Sequence, residues 1–471
     1  MRRTALTLFV FFLLFFSILS HAALAVMSIE EERKLGKQLL GMVKEQVSIV
    51  KDPEITEYVS GLGRKVMEQV EGRYFDYQFF VIQDPGINAF AMPGGLVFVH
   101  SGLIAAIDSE NDLVCVLAHE IGHIQGRHIV RRMDAMQKIN LASAAVAVAG
   151  LFLGGGNSGS AVLATTGALN MSFALKYSRI DEEEADRRAC QWICKAGYHP
   201  QGLISVMRKI LQSRWIGSDT IPSYLSTHPA SSERITYLED ILASSNCPGK
   251  NDTDSFRFQR VKVKTDVATG RPSVLVRTFR QRVAEHPGDL FSRYGLALAL
   301  LKAQELDESR KIMEELIQER PNDPEFLVDL GRIHLSAGRY TDAVRTLEEA
   351  SRRLPDDPAC SYYLASGLLE LGEARKALSL LQSIEPSWPD PGGISLLIGR
   401  AYSSLGDKGR THYYLYRHYQ EEGDKEAARF HKKMAKKLLG PEDKLLREID
   451  ETEDPEESAD PSGEKTSFEL P

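Results

Sequence analysis

His119, Glu120 and His123 stand in the order His-Glu-x-x-His within the stretch LAHEIGH, Leu117 to His123. On a helix the i, i+4 spacing puts both imidazoles on one face a turn apart, where they can share one metal ion, and Glu120 beside them reaches a metal-bound water. A metal held there lowers the pKa of that water and polarises a carbonyl, while the carboxylate takes the proton and later gives it to the leaving amine. Two imidazoles do not complete such a site, so a third ligand must come from elsewhere.

The nearby histidine is a poor candidate. A third ligand of the extended histidine motif would fall one residue later, at Ile129, and on a continuous helix His128 lies nearly opposite His119, so it is read as structural or as a neighbouring polar contact. Cys115, one turn before His119, is read as a small buried hydrophobe. A better source is the acidic run from Tyr177 to Asp186. Acids at a helix start need no metal, because the macrodipole favours them. A Glu four residues before an Asp nevertheless supplies a ligand and an acceptor that can orient a ligand histidine, and spacing leaves Glu182 and Glu183 both open.

The elements that must position these residues follow from periodicity and punctuation. Residues 28–70 read as two amphipathic helices, with Leu35, Leu39, Leu40 and Val43 at helical spacing. Strands are expected over Tyr77–Ile82 and within Ile87–Val99, where Pro93-Gly94-Gly95 turns the chain into Leu96–Val99. A helix capped near Ser109 to Asp112 is expected to run through the histidines to about Lys138. Residues 139–175 carry no charge and are rich in Ala and Gly, which suits a small-residue helical hairpin, either a lid or a peripheral membrane contact. A helix from Asp181 to about Ala196, and others over 201–213 and 232–244, surround the loop Thr227-His228-Pro229, and polar residues 245–270 suggest a domain boundary.

Beyond it Pro287, Pro321, Pro355 and Pro389 recur every 34 residues, the tetratricopeptide period. Leu296-Ala297, Leu330-Gly331, Leu364-Ala365 and Ile398-Gly399 keep the same register, as do the turn glycines 338, 372 and 406 and the small residues Ser309, Ala343 and Ala377. A fifth unit near Gly423–Leu439 reads as a polar cap. The basic start Met1-Arg2-Arg3, the apolar run Thr4 to Ser20 and the small residues Ala23 and Ala25 read as a signal peptide, the alternative being an uncleaved anchor. A net charge of −8 with dispersed basic residues excludes a nucleic-acid footprint, and five scattered cysteines are not expected to hold the fold.

The stretch Ala118–His128 (AHEIGHIQGRH), Glu182-x-x-Ala185-Asp186, the upstream Asn88–Gly95 (NAFAMPGG) and Thr227-His228-Pro229 together resemble the M48 family of metallopeptidases over residues 28–245. The repeats match the exported, repeat-bearing branch of that family. The resemblance implies Zn2+ bound by His119, His123 and Glu182, with Glu120 as base and Asp186 behind the ligands. It also implies that His228 and Arg234 sit near the site, either stabilising an oxyanion or, for His228, filling the open zinc position. Leu96, Val97, Phe98 and Val99 resemble the edge strand on which such proteases lay an extended peptide, the alternative being an ordinary buried strand.

The expected fold is mainly α: an α-rich zincin-type metalloprotease domain with a small β-sheet, then an all-α tetratricopeptide superhelix. The expected layout is a signal peptide over 1–25, a protease domain over 26–245, a linker over 246–272, repeats over 273–440 and an acidic disordered tail over 441–471. By resemblance the function is a zinc endopeptidase of the bacterial envelope, in the periplasm, acting on unfolded or misassembled envelope proteins, with outer-membrane assembly machinery as a partner of the repeats. The rival is a non-proteolytic repeat scaffold with a structural metal domain, because a site closed by His228 has no place for water.

Overall fold

The computed structural model describes residues 27–135, 148, 176–213, 223–229, 232–245, 247, 249, 256–388 and 391–451. The expectations for residues 1–25 and, Val148 apart, for 139–175 lie outside them. The chain divides into two units between Arg271 and Pro272.

In the first unit α1 (Ile29–Gln46) and α2 (Pro53–Met67) start on the side-chain caps Ser28 and Asp52. Strands β1 (Gln78–Ile82), β2 (Ala89–Met92) and β3 (Leu96–His100) follow. Both faces of the sheet are covered, so its strands are continuously apolar rather than alternating. Phe79, Val81, Ala89, Ala91, Val97 and Val99 enter the main core. Phe80, Phe90 and Phe98 join Leu35, Leu39 and Val43 of α1 on the other face. The Pro93-Gly94-Gly95 turn needs positive φ at both glycines, 85° and 92°, and lies so close to α1 that a Cβ on Gly36 would stand 2.8 Å from the Pro93 oxygen.

The strand order is β1-β3-β2, with β3 parallel to β1 and antiparallel to β2. This corrects the reading of Leu96–Val99 as an edge strand: β3 is the centre, and both of its backbone edges are paired. The outer edge next to the histidines belongs to β2. The His100 N–H donates to the Asn88 carbonyl at 2.9 Å, so in the alternating antiparallel pattern Phe90 bonds Phe98, and Ala89 and Ala91 turn their N–H and C=O away from β3.

After α3 (Ser101–Ala106) come α4 (Glu110–Gln125) and α5 (His128–Ala135), then α6 (Arg179–Lys195), α7 (Gln201–Ser213), α8 (Ser223–Thr227), α9 (Ser232–Ser244) and α10 (Phe256–Thr269). The single helix expected to reach Lys138 is therefore two, broken at Gly126 and at Arg127, whose φ is 51°. The expected polar linker contains α10, whose Phe258 and Val261 join the main core while Arg260 and Lys264 pair with Glu54 of α2. The expectation that no cysteine ties the fold is also corrected: Cys194, at the end of α6, is bonded to Cys247. Those two segments converge on the Tyr198 backbone, whose carbonyl lies 3.4 Å from the Cys247 sulfur. Cys115 is buried as expected, with its sulfur 3.5 Å from the His199 carbonyl.

The second unit is helical throughout its described residues. α11 (Pro272–Glu285) precedes the pairs α12 (Leu290–Lys302) with α13 (Leu306–Glu319), α14 (Glu325–Ser336) with α15 (Tyr340–Arg353), α16 (Pro358–Glu370) with α17 (Ala374–Ile384), and α18 (Pro391–Ser404) with α19 (Lys408–Glu422). Gly338, Gly372 and Gly406 turn these pairs at φ of 69°, 80° and 81°, and Gln304, one period earlier, adopts 64° without being glycine. α20 (Lys425–Leu438) follows, and α21 (Lys444–Glu451) occupies part of the expected disordered tail. It is helical because Leu445, Leu446 and Ile449 share a face packed on the repeats, with Ile449 fully buried. Residues 452–471 lie outside the described set.

Candidate metal centre

The register of α4 is set at its first turn, where the Ser109 hydroxyl accepts the Asp112 N–H. His119 and His123 then lie on one face with their Nε2 atoms 3.0 Å apart. α6 begins in a reciprocal cap between Ser178 and Asp181. The two helices meet where a Cβ on Gly122 would stand 2.9 Å from the Ala185 oxygen, so a glycine inside the histidine motif is what lets α6 come close. That approach delivers Glu182 to 3.5 Å from His119 Nε2 and 3.4 Å from His123 Nε2. His228, just past α8, brings Nδ1 to 3.3 Å from His119 Nε2 and 3.0 Å from Glu182 Oε1.

These four buried side chains hold their donor atoms within 4.8 Å of one another. A tetrahedral ion with bonds of about 2.0–2.1 Å would have donor–donor edges of about 3.3 Å. The five separations just given, to one or the other Glu182 oxygen, run from 3.0 to 3.5 Å, so three imidazole nitrogens and one carboxylate cluster closely enough to hold a single ion. Glu120 fits the same reading. It is fully buried, neither carboxylate oxygen has a hydrogen-bond partner, and Oε1 lies 3.6 Å from His228 Nε2. A buried carboxylate with no hydrogen-bond partner in the protein calls for a partner from outside it.

Behind the donors, Asp186 Oδ1 accepts from His119 Nδ1 at 2.8 Å, which fixes that ring with Nε2 toward the cluster. Arg234, on α9, donates to Asp186 from Nε at 2.7 Å and from Nη2 at 2.8 Å, and its Nη1 pairs with Glu182. The guanidinium expected near an oxyanion is thus engaged with both acids of α6. Tyr237 adds a hydroxyl donor to Asp186. Burial alone would raise the Glu182 and Asp186 carboxyls, but Arg234 heads the charges that hold both well below the ordinary range. Burial likewise opposes a charged His119, yet Asp186 outweighs it and lifts the imidazole to about 9. Burial drives His123 well below the ordinary histidine value and pushes the Glu120 carboxyl up.

Two contributors were not read from the sequence. Tyr177 stacks on His123 with ring centres 3.7 Å apart, and Tyr224 stacks on His228 at 4.5 Å. His128, read as structural or as a neighbouring polar contact, is such a contact: its Nδ1 lies 2.8 Å from His123 Nδ1. For Tyr224 the i, i+4 spacing to His228 was the available signal; for Tyr177 there was none.

Residues 53–242, which include every residue of this cluster, match the model of peptidase family M48. The metalloprotease YcaL of Escherichia coli (strain K12) is 30% identical over 184 residues, spanning 39% of this chain and 68% of its own. The chain belongs to peptidase family M48. Family membership implies a metal, and the donor set fits one. The second unit matches a tetratricopeptide repeat model over residues 300–367 and 334–392. The beta-barrel assembly-enhancing proteases of Yersinia pestis and Escherichia coli (strain K12) are 27% and 26% identical over 321 and 320 residues. The chain spans 65% of the length of each of these relatives.

Proposed function

We propose that this chain is a zinc-dependent endopeptidase of the bacterial envelope that cleaves unfolded or misassembled proteins, outer-membrane β-barrel precursors among them. The repeats recruit clients or assembly partners. The observation that carries the reading is a buried Glu120 without a hydrogen-bond partner beside four clustered donors. A donor set of three imidazole nitrogens and one carboxylate favours zinc. When bound, zinc supplies a polarised scissile carbonyl and an acidified water. Glu120 is the base, and burial pushes its carboxyl up from the ordinary range. Asp186 and Arg234 keep His119 and Glu182 oriented. His228 is the gate: as a fourth donor it fills the position a water needs, so it must swing away before cleavage.

An extended peptide adds to the outer edge of β2, where Ala89 and Ala91 direct their backbone groups outward. The Tyr177 hydroxyl donates to the Ala91 carbonyl at 3.5 Å while its ring stacks on His123; this supports an edge beside the donors, with the tyrosine yielding that carbonyl to an incoming peptide. Location in the envelope is supported by the signal-like start of the chain, by the relatives' name and by the Cys194–Cys247 bond, which suits an oxidising compartment. No helix among the described residues is long and apolar enough to cross a membrane.

Zinc content and casein cleavage test the proposal together. Glu120→Gln is expected to keep one zinc and lose cleavage; full activity there contradicts the mechanism. His228→Ala is expected to keep the zinc and cleave faster than the wild type. If neither the wild type nor His228→Ala cleaves while zinc is retained, the closed site is structural and the scaffold reading replaces the enzyme.

A further inference from the structure

The active helix ends in an unusual way. Arg127, which carries a Cβ, sits in the left-handed region at φ 51°, and the next helix starts at once with His128. The reversal turns the His128 ring back onto His123, with ring centres 4.9 Å apart and the two Nδ1 atoms at 2.8 Å. Gly126 makes the room: a Cβ there would stand 2.2 Å from His128 Nε2. Arg127 is held in its conformation by an ion pair from Nε to Glu32 at 2.7 Å, and Glu32 is only 1% exposed. On the far side His128 Nε2 faces Glu184 at 3.3 Å, and Glu184 is in turn paired with Arg131 at 2.8 Å and Arg188 at 2.6 Å.

We propose that His128 is the positioning residue for His123, accepting its Nδ1–H and so fixing the ring with Nε2 toward the metal, as Asp186 does for His119. This rests on the four-donor cluster being a metal site. An imidazole that binds through Nε2 carries its proton on Nδ1, and a buried N–H left without an acceptor is costly. His128 receives that proton's hydrogen bond at its own Nδ1 and keeps its hydrogen on Nε2, toward Glu184. The left-handed Arg127, the space at Gly126 and the buried Glu32 are the means by which the chain reverses sharply enough to bring a residue five positions on behind a ligand of its own motif.

The test compares the full chain with His128→Leu, His128→Asn and Gly126→Ala, by zinc stoichiometry, zinc release to a chelating dye, and melting by circular dichroism. Leu fills space without accepting; Asn can set Oδ1 where Nδ1 stood. Zinc release is expected to rise about 10- to 100-fold in His128→Leu and to stay within about threefold of the wild type in His128→Asn. Gly126→Ala, which displaces the ring without changing it, is expected to fall between them. Equal release from the wild type and a folded His128→Leu overturns the proposal and leaves the metal site standing; a wild type that binds no zinc overturns the metal site itself. Should His128→Leu not fold, Gly126→Ala and His128→Asn decide: faster release from the first alone supports the proposal, and equal release overturns it.

Discussion

Arg234 holds together two acids that would otherwise repel. Glu182 and Asp186 lie on one face of α6, both buried, and the guanidinium pairs with each. Carboxyls held below their ordinary values stabilise the fold above about pH 4, and that contribution is lost as pH falls through the lowered folded values. Removing the guanidinium by Arg234→Met is expected to cost about 3–5 kcal/mol, because it leaves buried charge unpaired. It should also move the acid side of the stability profile to higher pH. Melting of the zinc-free chain between about pH 3 and 7 measures both effects, and an unchanged acid side would contradict this role. Arg234→Lys keeps the charge but not the two-pronged fork, so only partial recovery is expected. The choice between Glu182 and Glu183 was not legible from spacing, since both are a turn or so from other acids. It is decided by the Gly122–Ala185 crossing, which turns Glu182 inward and leaves Glu183 to a surface pair with Arg187 at 2.7 Å.

Elements were legible where their signals are local. Ser109 caps the active helix, helices occur over Gln201–Ser213 and Ser232–Ser244, and the Pro93-Gly94-Gly95 turn joins two adjacent strands. The sheet order was not, because a sequence shows which strands form a hairpin but not that β1 returns to pair with β3 and encloses it. The helix break at Arg127 was equally hidden, since nothing about an arginine announces a left-handed backbone that a distant glutamate stabilises. The repeats offer the converse case. Three of the four aligned turns place glycine in the left-handed region, and the first puts Gln304 there at φ 64°. Side chains with a Cβ pay about 1–2 kcal/mol in that region. Gln304→Gly gives back part of this in unfolded-chain entropy, so a net gain of about 1 kcal/mol is expected. Urea unfolding of the second unit, followed by circular dichroism, reads it as a higher midpoint with the same slope, and a lower midpoint would mean that the Gln304 side chain contributes more than its backbone costs.

At the scale of the whole chain, the structure divides into two units between Arg271 and Pro272, and the polar look of residues 245–270 hides a helix that belongs to the first. The reason lies in Glu54. It is buried on α2, and its two oxygens are paired with Arg260 at 2.5 Å and with Lys264, both themselves buried on α10. Charges that look solvent-seeking in the sequence are therefore the internal partners of an acid some 200 residues earlier, as the 210-residue separation of Lys264 from Glu54 shows. The consequence concerns where the first unit can be cut. A fragment ending at residue 255 would leave Glu54 without its cations and uncover the surface that Phe258 and Val261 fill. Breaking a buried pair of this kind costs about 3–5 kcal/mol, much of the stability of an ordinary domain. A fragment ending at residue 271 keeps all of these contacts. It is expected to melt cooperatively and bind one zinc without the repeats, whereas the shorter fragment should melt well below it or aggregate. Parallel melting curves and zinc stoichiometries decide the matter, and equal stability of the two fragments would show that α10 is an appendage and not part of the unit that carries the site.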